Sequence, residues 1–208
     1  MSSQEVKQSF ATRLPFFYGY IVVGAAFFIM VVMVGAVNAY GVFFKPMLAE
    51  FNWSRRVIAG ALSVSHLVRG LLSIVMGGLT DRFGPRVVLT LCGIVMGLGY
   101  LMLSQINDIW QLYLFYGFIV GSGLSGAYSP LLSTVARWFT SRRSMMGGIV
   151  TAGAGMGTMI VAPMISGFIA AYGWRVSYII LGGMISVIVV IVTQFLKRNP
   201  AQMGQVAY

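Results

Sequence analysis

One basic residue lies inside an apolar stretch and could bind an anion. Arg69 is the single charged residue in the run from Val57 to Thr80. A helix would place it about 18 Å along its axis from Asp81, because each residue adds about 1.5 Å. A central arginine costs roughly 2.5–3.5 kcal/mol on membrane-insertion scales, so its side chain should face water, an anion or a partner. Its guanidinium could hold a carboxylate through paired hydrogen bonds.

Three polar residues occur within about one helical turn of Arg69. Ser65, His66 and Ser73 have the spacing that predicts one shared helical face. The two hydroxyls could complete a carboxylate site, and His66 could sense or relay protons. The alternatives are that Arg69 joins helices through backbone carbonyls or an additional bundle, and that His66 makes an ordinary interhelical hydrogen bond.

Two residues of an earlier apolar run could reach the same site. Asn38 and Tyr40 would lie in the outer half of the first helix and could donate hydrogen bonds to a bound anion. Ordinary helix packing would explain them equally well.

These residues belong to long apolar runs, which set the fold class. Of 208 residues, 58% are hydrophobic and 9% charged, more apolar surface than a soluble domain of this size could hide. A transmembrane helix needs about 20 apolar residues. Runs of that length predict an all-α membrane protein of six helices: Leu14–Phe44, Val57–Thr80, Val87–Asn107, Ile109–Ala136, Ser144–Trp174 and Val176–Leu196. The predicted bundle covers residues 18–196, between a cytoplasmic segment at 1–17 and a cytoplasmic tail at 197–208.

The basic residues predict the orientation of this bundle. The net charge is +10, but lysines and arginines stand at the ends of apolar runs rather than on one polar module, which argues against nucleic-acid binding. Anionic lipid headgroups are the expected electrostatic partner. Most of these cations fall on the side of the N-terminus, which predicts both termini in the cytoplasm. They are Lys7, Arg13, Arg82, Arg86, Arg137, Arg142, Arg143, Lys197 and Arg198.

Two short patterns recur in the two halves of the chain. Ser-Arg-Arg at 54–56 returns at 141–143, and the glycine and arginine of 84–86 return at 173–175. A three-helix unit used twice would enter the membrane upside down the second time, as in the inverted repeats of many transporters. The alternative is chance recurrence of Gly and Arg at helix ends.

The connection between the second and third runs carries a signature. Gly77, Asp81, Arg82, Gly84 and Arg86 resemble the G-x-x-x-D-R-x-G-x-R motif of the major facilitator superfamily. Glycine suits a tight turn here, and Asp81 could be compensated by the neighbouring arginines while bonding a helix N-terminus. The resemblance implies half of a major facilitator fold, with this motif as an inner gate against the other half. The alternative is an anchor obeying the positive-inside rule.

Further segments resemble the monocarboxylate transporter family and its bacterial relatives, which include oxalate/formate exchangers. They lie at 18–20, 42–45, 51–55, 138–143 and 173–178. The resemblance implies transport of small organic anions, monocarboxylates or dicarboxylates, by alternating access as symport or exchange. It also implies location in a bacterial inner (plasma) membrane. The chain differs from the family in having Tyr18 where an acidic residue is usual, and Asn38 where animal members have a lysine.

Small residues and prolines are expected to set packing and flexibility. Glycines one turn apart allow close backbone approach, whereas a proline removes a helical hydrogen bond and bends its helix. The glycines are Gly117, Gly121, Gly153 and Gly157, and the prolines are Pro130 and Pro163.

The sequence therefore predicts the N-terminal half of an organic-anion carrier. The second wall of its cavity would come from a C-terminal six-helix half, so we expect a truncated frame, a split transporter or a half that pairs with itself. No metal-ligand cluster, nucleophile–base pair or phosphate-binding loop occurs in a plausible context, so we expect no metal, no cofactor and no enzyme activity. The alternatives are a multidrug-type exporter half and a non-transporting remnant or interaction module.

Overall fold

The computed structural model describes residues 18–139 and 142–196, which form helices joined by short connections. The α-helices are α1 Gly19–Asn38, α2 Phe44–Phe51, α3 Arg55–Phe83, α4 Pro85–Leu103, α5 Ile109–Leu112, α6 Gly121–Leu124, α7 Ser129–Trp138 and α8 Arg143–Thr193. A 3-10 segment, Ala39–Phe43, joins α1 to α2, and a π-helical segment, Tyr113–Val120, joins α5 to α6. The predicted all-α class is confirmed. The predicted segments at 1–17 and 197–208 lie outside the described residues.

Within the described residues, four helical stretches are long and apolar enough to cross a membrane: Gly19–Phe51, Arg55–Phe83, Pro85–Leu103 and Arg143–Thr193. The last, α8, has 51 residues. If straight it would extend about 77 Å, more than twice the hydrocarbon thickness of about 30 Å. It is not straight, because Gly173 interrupts its helical backbone with φ 79° and ψ 166°.

The predicted run from Ile109 to Ala136 is not one regular helix. It contains the π-helical segment and a non-helical turn at 125–128. Pro130 follows that turn in the first positions of α7, where a missing backbone N–H is tolerated. Pro130 therefore begins a helix rather than bending one, which corrects the expectation. Pro163 does lie inside α8, where the backbone stays helical.

The first helix occupies the centre of the bundle. Residues on all sides of α1 are buried, as expected for a helix that is apolar all round. Its main neighbour is α8, and glycines bring the two backbones together. A Cβ atom added at Gly35 would lie 2.7 Å from the carbonyl carbon of Gly157, and one at Gly153 would lie 2.7 Å from the carbonyl oxygen of Phe27. Larger side chains there would force the helices apart.

Two glycines of the repeated pattern share an unusual backbone conformation. Gly84, between α3 and α4, has φ 87° and ψ 158°, and Gly173 has φ 79° and ψ 166°. This region is essentially restricted to glycine, because a Cβ atom would clash with the backbone. Both the turn between α3 and α4 and the interruption of α8 therefore depend on the absence of a side chain.

Arginines near these two glycines connect the same pair of helices at opposite ends. Arg86 donates through Nε to Oε1 of Gln194 at the end of α8, at 2.7 Å. Arg175 donates to the carbonyl oxygens of Ser104 and Ile106, just beyond α4, at 3.0 and 3.3 Å. The start of α4 is thus joined to the end of α8, and the part of α8 just after Gly173 is joined to the end of α4.

Candidate functional site

Arg69 lies midway along α3 and lines a cavity of about 240 Å³. Ser73, one turn further along α3, lines the same cavity. The opposite wall is formed by Ser125 and Tyr128, in the non-helical turn between α6 and α7. The guanidinium carbon of Arg69 is 5.3 Å from the centroid of the Tyr128 ring, within the range of a cation–π contact.

The hydrogen bonds of this pocket leave donors for an anion. The hydroxyls of Ser73 and Ser125 donate to backbone carbonyls, at 2.7 and 2.5 Å. Within the part of the chain that the structure describes, no carboxylate pairs with Arg69 and the Tyr128 hydroxyl has no hydrogen-bond partner. Arg69 and Tyr128 therefore supply the donors that a carboxylate would need, and the serines offer lone pairs that can orient the guanidinium.

The four residues predicted to share one face of α3 do not all face the same cavity in the structure. Ser65 is 0% exposed, and a Cβ atom added at Gly121 would lie 2.8 Å from its carbonyl oxygen, so Ser65 packs against α6. His66 is exposed and does not line the cavity. Of the four residues predicted to share one face, only Arg69 and Ser73 line the cavity.

Asn38 and Tyr40 also lie outside the cavity around Arg69. Asn38 is exposed, and its side-chain nitrogen donates to the Thr158 hydroxyl on α8, at 2.8 Å. Tyr40 is buried, donates to the Ile58 carbonyl at 3.0 Å and stacks on Tyr116. The packing alternative therefore describes Tyr40, whereas the exposed Asn38 is joined to α8 through its amide nitrogen.

The motif at the end of α3 has different partners from those expected. Asp81 forms an ion pair with Arg137 at the end of α7, rather than being compensated only by its sequence neighbours. Arg86 is bonded to Gln194. The guanidinium carbon of Arg82 lies 5.4 Å from the ring centroid of Phe83. The sequence predicted a cytoplasmic position for Arg137, but it did not predict the ion pair with Asp81.

The glycines predicted to allow close approach lie at helix contacts. A Cβ atom added at Gly117 would lie 2.9 Å from the Val64 side chain, and one added at Gly157 would clash with the carbonyl oxygen of Val31 on α1. The contacts of Gly117 with Val64 and of Gly121 with Ser65 hold α3 beside the π-helical segment and α6, which precede the turn that contains Ser125 and Tyr128. The pocket therefore depends on backbone packing as well as on its polar side chains.

Comparison with known proteins identifies the family. A sequence model of the Major Facilitator Superfamily matches residues 16–207. The chain belongs to this superfamily. It is 30% identical to monocarboxylate transporter 13 of Bos taurus over 167 residues, which are 80% of this chain and 39% of that protein. It is 31% identical to monocarboxylate transporter 1 of Bos taurus over 174 residues, 81% of this chain and 34% of that protein.

A third relative has the same relation to the chain. Monocarboxylate transporter 2 of Mesocricetus auratus is 32% identical over 167 residues, 80% of this chain and 34% of that protein. The predicted resemblance is confirmed, and the chain spans roughly a third to two-fifths of the length of these relatives. Superfamily membership and the apolar helices identify an integral membrane protein.

Proposed function

We propose that this chain is the N-terminal half of a carrier for small organic anions, such as monocarboxylates or dicarboxylates. It would move them by alternating access, as symport or exchange. The observation that carries this proposal is the pocket in which Arg69 lies beside Ser73, Ser125 and Tyr128. The names of the relatives, monocarboxylate transporters, agree with a carboxylate ligand.

The charge of the pocket supports an anionic substrate. Arg69 is partly buried within a stretch long enough to span a membrane. The carboxylates of Glu50 and Asp81 are paired with Arg175 and Arg137 instead. An arginine at this depth is costly unless it is solvated or neutralised. A carboxylate substrate would offset that cost and accept paired hydrogen bonds from the guanidinium.

The bundle is proposed to span the membrane six times as two inverted three-helix repeats. The spans would be Gly19–Phe51, Arg55–Phe83, Pro85–Leu103, the interrupted stretch at 109–138, and the parts of α8 on either side of Gly173. The matching backbones of Gly84 and Gly173 support the repeat, as do the reciprocal bonds made by Arg86 and Arg175.

A second six-helix bundle, from another chain or a second copy, would form the other wall of the cavity. The bundle at 18–196 would have both termini in the cytoplasm and lie in a bacterial inner (plasma) membrane. The ion pair of Asp81 with Arg137 would contribute to the inner gate. The excess of basic residues on the proposed cytoplasmic side supports this orientation.

The test is carboxylate flux in proteoliposomes that contain this chain together with a matching C-terminal bundle. Arg69→Gln should raise the KM about 10- to 100-fold, because charge-assisted hydrogen bonds to the substrate are lost. Arg69→Lys should retain part of the flux, since the charge remains without the paired geometry. Arg56→Gln, on an exposed arginine of the same helix, is the matched control and should leave the KM unchanged.

Two other outcomes would overturn the proposal. Transport of cationic or neutral amphiphiles that is unaffected by Arg69→Gln would indicate a multidrug-type exporter half. Absence of flux for any monocarboxylate or dicarboxylate, with the second bundle folded and present, would indicate a non-transporting remnant or interaction module.

A further inference from the structure

A second cavity, of about 290 Å³, lies between α3 and α4 near their shared turn and is called here the α3–α4 groove. Leu79 and Phe83 line it from α3, and Val87, Leu91 and Val95 line it from α4. Phe83 is 57% exposed and Leu91 is 55% exposed. In an integral membrane protein, such a groove on the bundle surface is open to lipid.

The chemistry of the groove favours an apolar occupant. Its two polar lining groups already have partners within the protein. The Ser122 hydroxyl donates to the Phe118 carbonyl at 2.6 Å, and the Cys92 sulfur lies 4.0 Å from the sulfur of Met76. A polar ligand would leave its own hydrogen bonds unmade in this groove, whereas a hydrocarbon chain would not.

The dimensions of the groove match one leaflet of a bilayer. From Val87 to Val95, α4 advances about 12 Å. One leaflet of the hydrocarbon core is about 15 Å thick. The groove begins at the α3–α4 turn, at one end of both helices, and runs toward their middle. This is the path of an acyl chain that enters from a headgroup region.

A cation stands at the mouth of the groove. Arg82 is exposed, and its guanidinium carbon is 5.4 Å from the ring of Phe83, which lines the groove. Among the described residues no carboxylate pairs with Arg82, whereas Asp81 pairs with Arg137 and Arg86 bonds Gln194. The guanidinium is therefore available to an anion, and it matches phosphate through paired hydrogen bonds.

We propose that the α3–α4 groove binds one acyl chain of an anionic phospholipid whose phosphate pairs with Arg82. The apolar lining contacts the acyl chain of the lipid, and Arg82 favours an anionic headgroup. The site is separate from the pocket of Arg69 and uses none of its residues. Lipid binding at this site does not depend on the proposed substrate, so the experiment measures lipid binding rather than transport.

The experiment uses the full chain in nanodiscs that contain a phosphatidylglycerol with a photoactivatable group on its acyl chain. Peptide mass spectrometry locates the attachment, and unlabelled phosphatidylglycerol, phosphatidylcholine and diacylglycerol compete. We expect attachment to groove residues, displaced most effectively by phosphatidylglycerol. Arg82→Gln should lower phosphatidylglycerol labelling about fivefold, the factor expected for one basic side chain at an anionic surface, and leave diacylglycerol competition unchanged.

Further variants distinguish binding of the acyl chain from binding of the charged headgroup. Leu91→Trp should fill the groove and abolish its labelling by the phosphatidylglycerol probe, while Val187→Trp, at an exposed apolar position of α8, should not. Arg143→Gln is the charge control, because Arg143 is exposed and lies outside the groove lining. Thermal unfolding establishes that each variant is folded.

Equal competition by the three lipids would overturn the proposal, since it would indicate only the general lipid annulus. An equal loss of labelling in Arg82→Gln and Arg143→Gln would also overturn it. Absence of any attachment to groove residues in the unmutated chain would overturn it as well.

Discussion

Arg69 and Tyr128 come from separate helical stretches, yet their side chains meet in one pocket. The sequence predicted Arg69 because a charge inside an apolar run is costly and therefore informative. Nothing local indicated Tyr128 or Ser125, because their place depends on how the turn at 125–128 packs against α3. Ser65 was misplaced for a related reason. Residues a turn apart can face different neighbours once a helix is surrounded on several sides.

The ring of Tyr128 is expected to hold the guanidinium of Arg69 in place. A cation–π contact contributes about 0.5–2 kcal/mol, so Tyr128→Leu should raise the KM for a carboxylate about 2- to 30-fold. Tyr128→Phe keeps the ring and should retain most of that contribution, losing only the hydroxyl. Tyr172→Leu, at an exposed tyrosine of α8, serves as the control. Equal KM values for the Leu and Phe variants would contradict a role for the ring.

At the scale of the elements, apolar length predicted helices, and four helical stretches of the described residues are long enough to span a membrane. Apolar length is a local property of the chain, and the glycines at 84 and 173 likewise mark the places where the helical backbone is interrupted. The interruption of 109–138 was not predictable, because a π-helical segment is decided by packing against α3 and α4. The ion pair of Asp81 with Arg137 depends likewise on the contact between α3 and α7.

The backbone conformation of Gly173 predicts that a side chain at this position lowers the stability of the fold. Its φ and ψ angles are accessible essentially to glycine alone, so Gly173→Ala should destabilise the fold by about 1–3 kcal/mol. Gly167→Ala is a close control in the same helix. A Cβ atom there would meet nothing within 4 Å, and alanine favours helix over glycine. Thermal unfolding of the purified protein should show a lower midpoint for the first variant and no loss for the second. Equal midpoints would contradict the assigned backbone conformation.

At the scale of the whole molecule, the sequence predicted a membrane bundle, and the family match agrees. The proposed number of crossings can be tested by labelling single cysteines, because the chain has one cysteine, Cys92, and it is buried. Arg143→Cys, Tyr172→Cys and Phe195→Cys place a thiol at the start of α8, near its kink and after its end.

An impermeant maleimide should label positions 143 and 195 from one face of the membrane and position 172 from the opposite face. Vesicles of the two orientations provide the comparison. All three native side chains are exposed, so access should not limit labelling. Labelling of all three from one face would mean that α8 does not cross the membrane twice.

The reciprocal bonds of Arg86 and Arg175 have a mechanical consequence. Sliding of α4 along the second part of α8 would break hydrogen bonds at both ends at once. The two backbones also pack closely at the facing glycines Gly97 and Gly182. The two helices should therefore move together as one rigid unit. Any rearrangement that opens or closes the Arg69 pocket would then occur at other connections in the bundle, such as the turn that contains Tyr128.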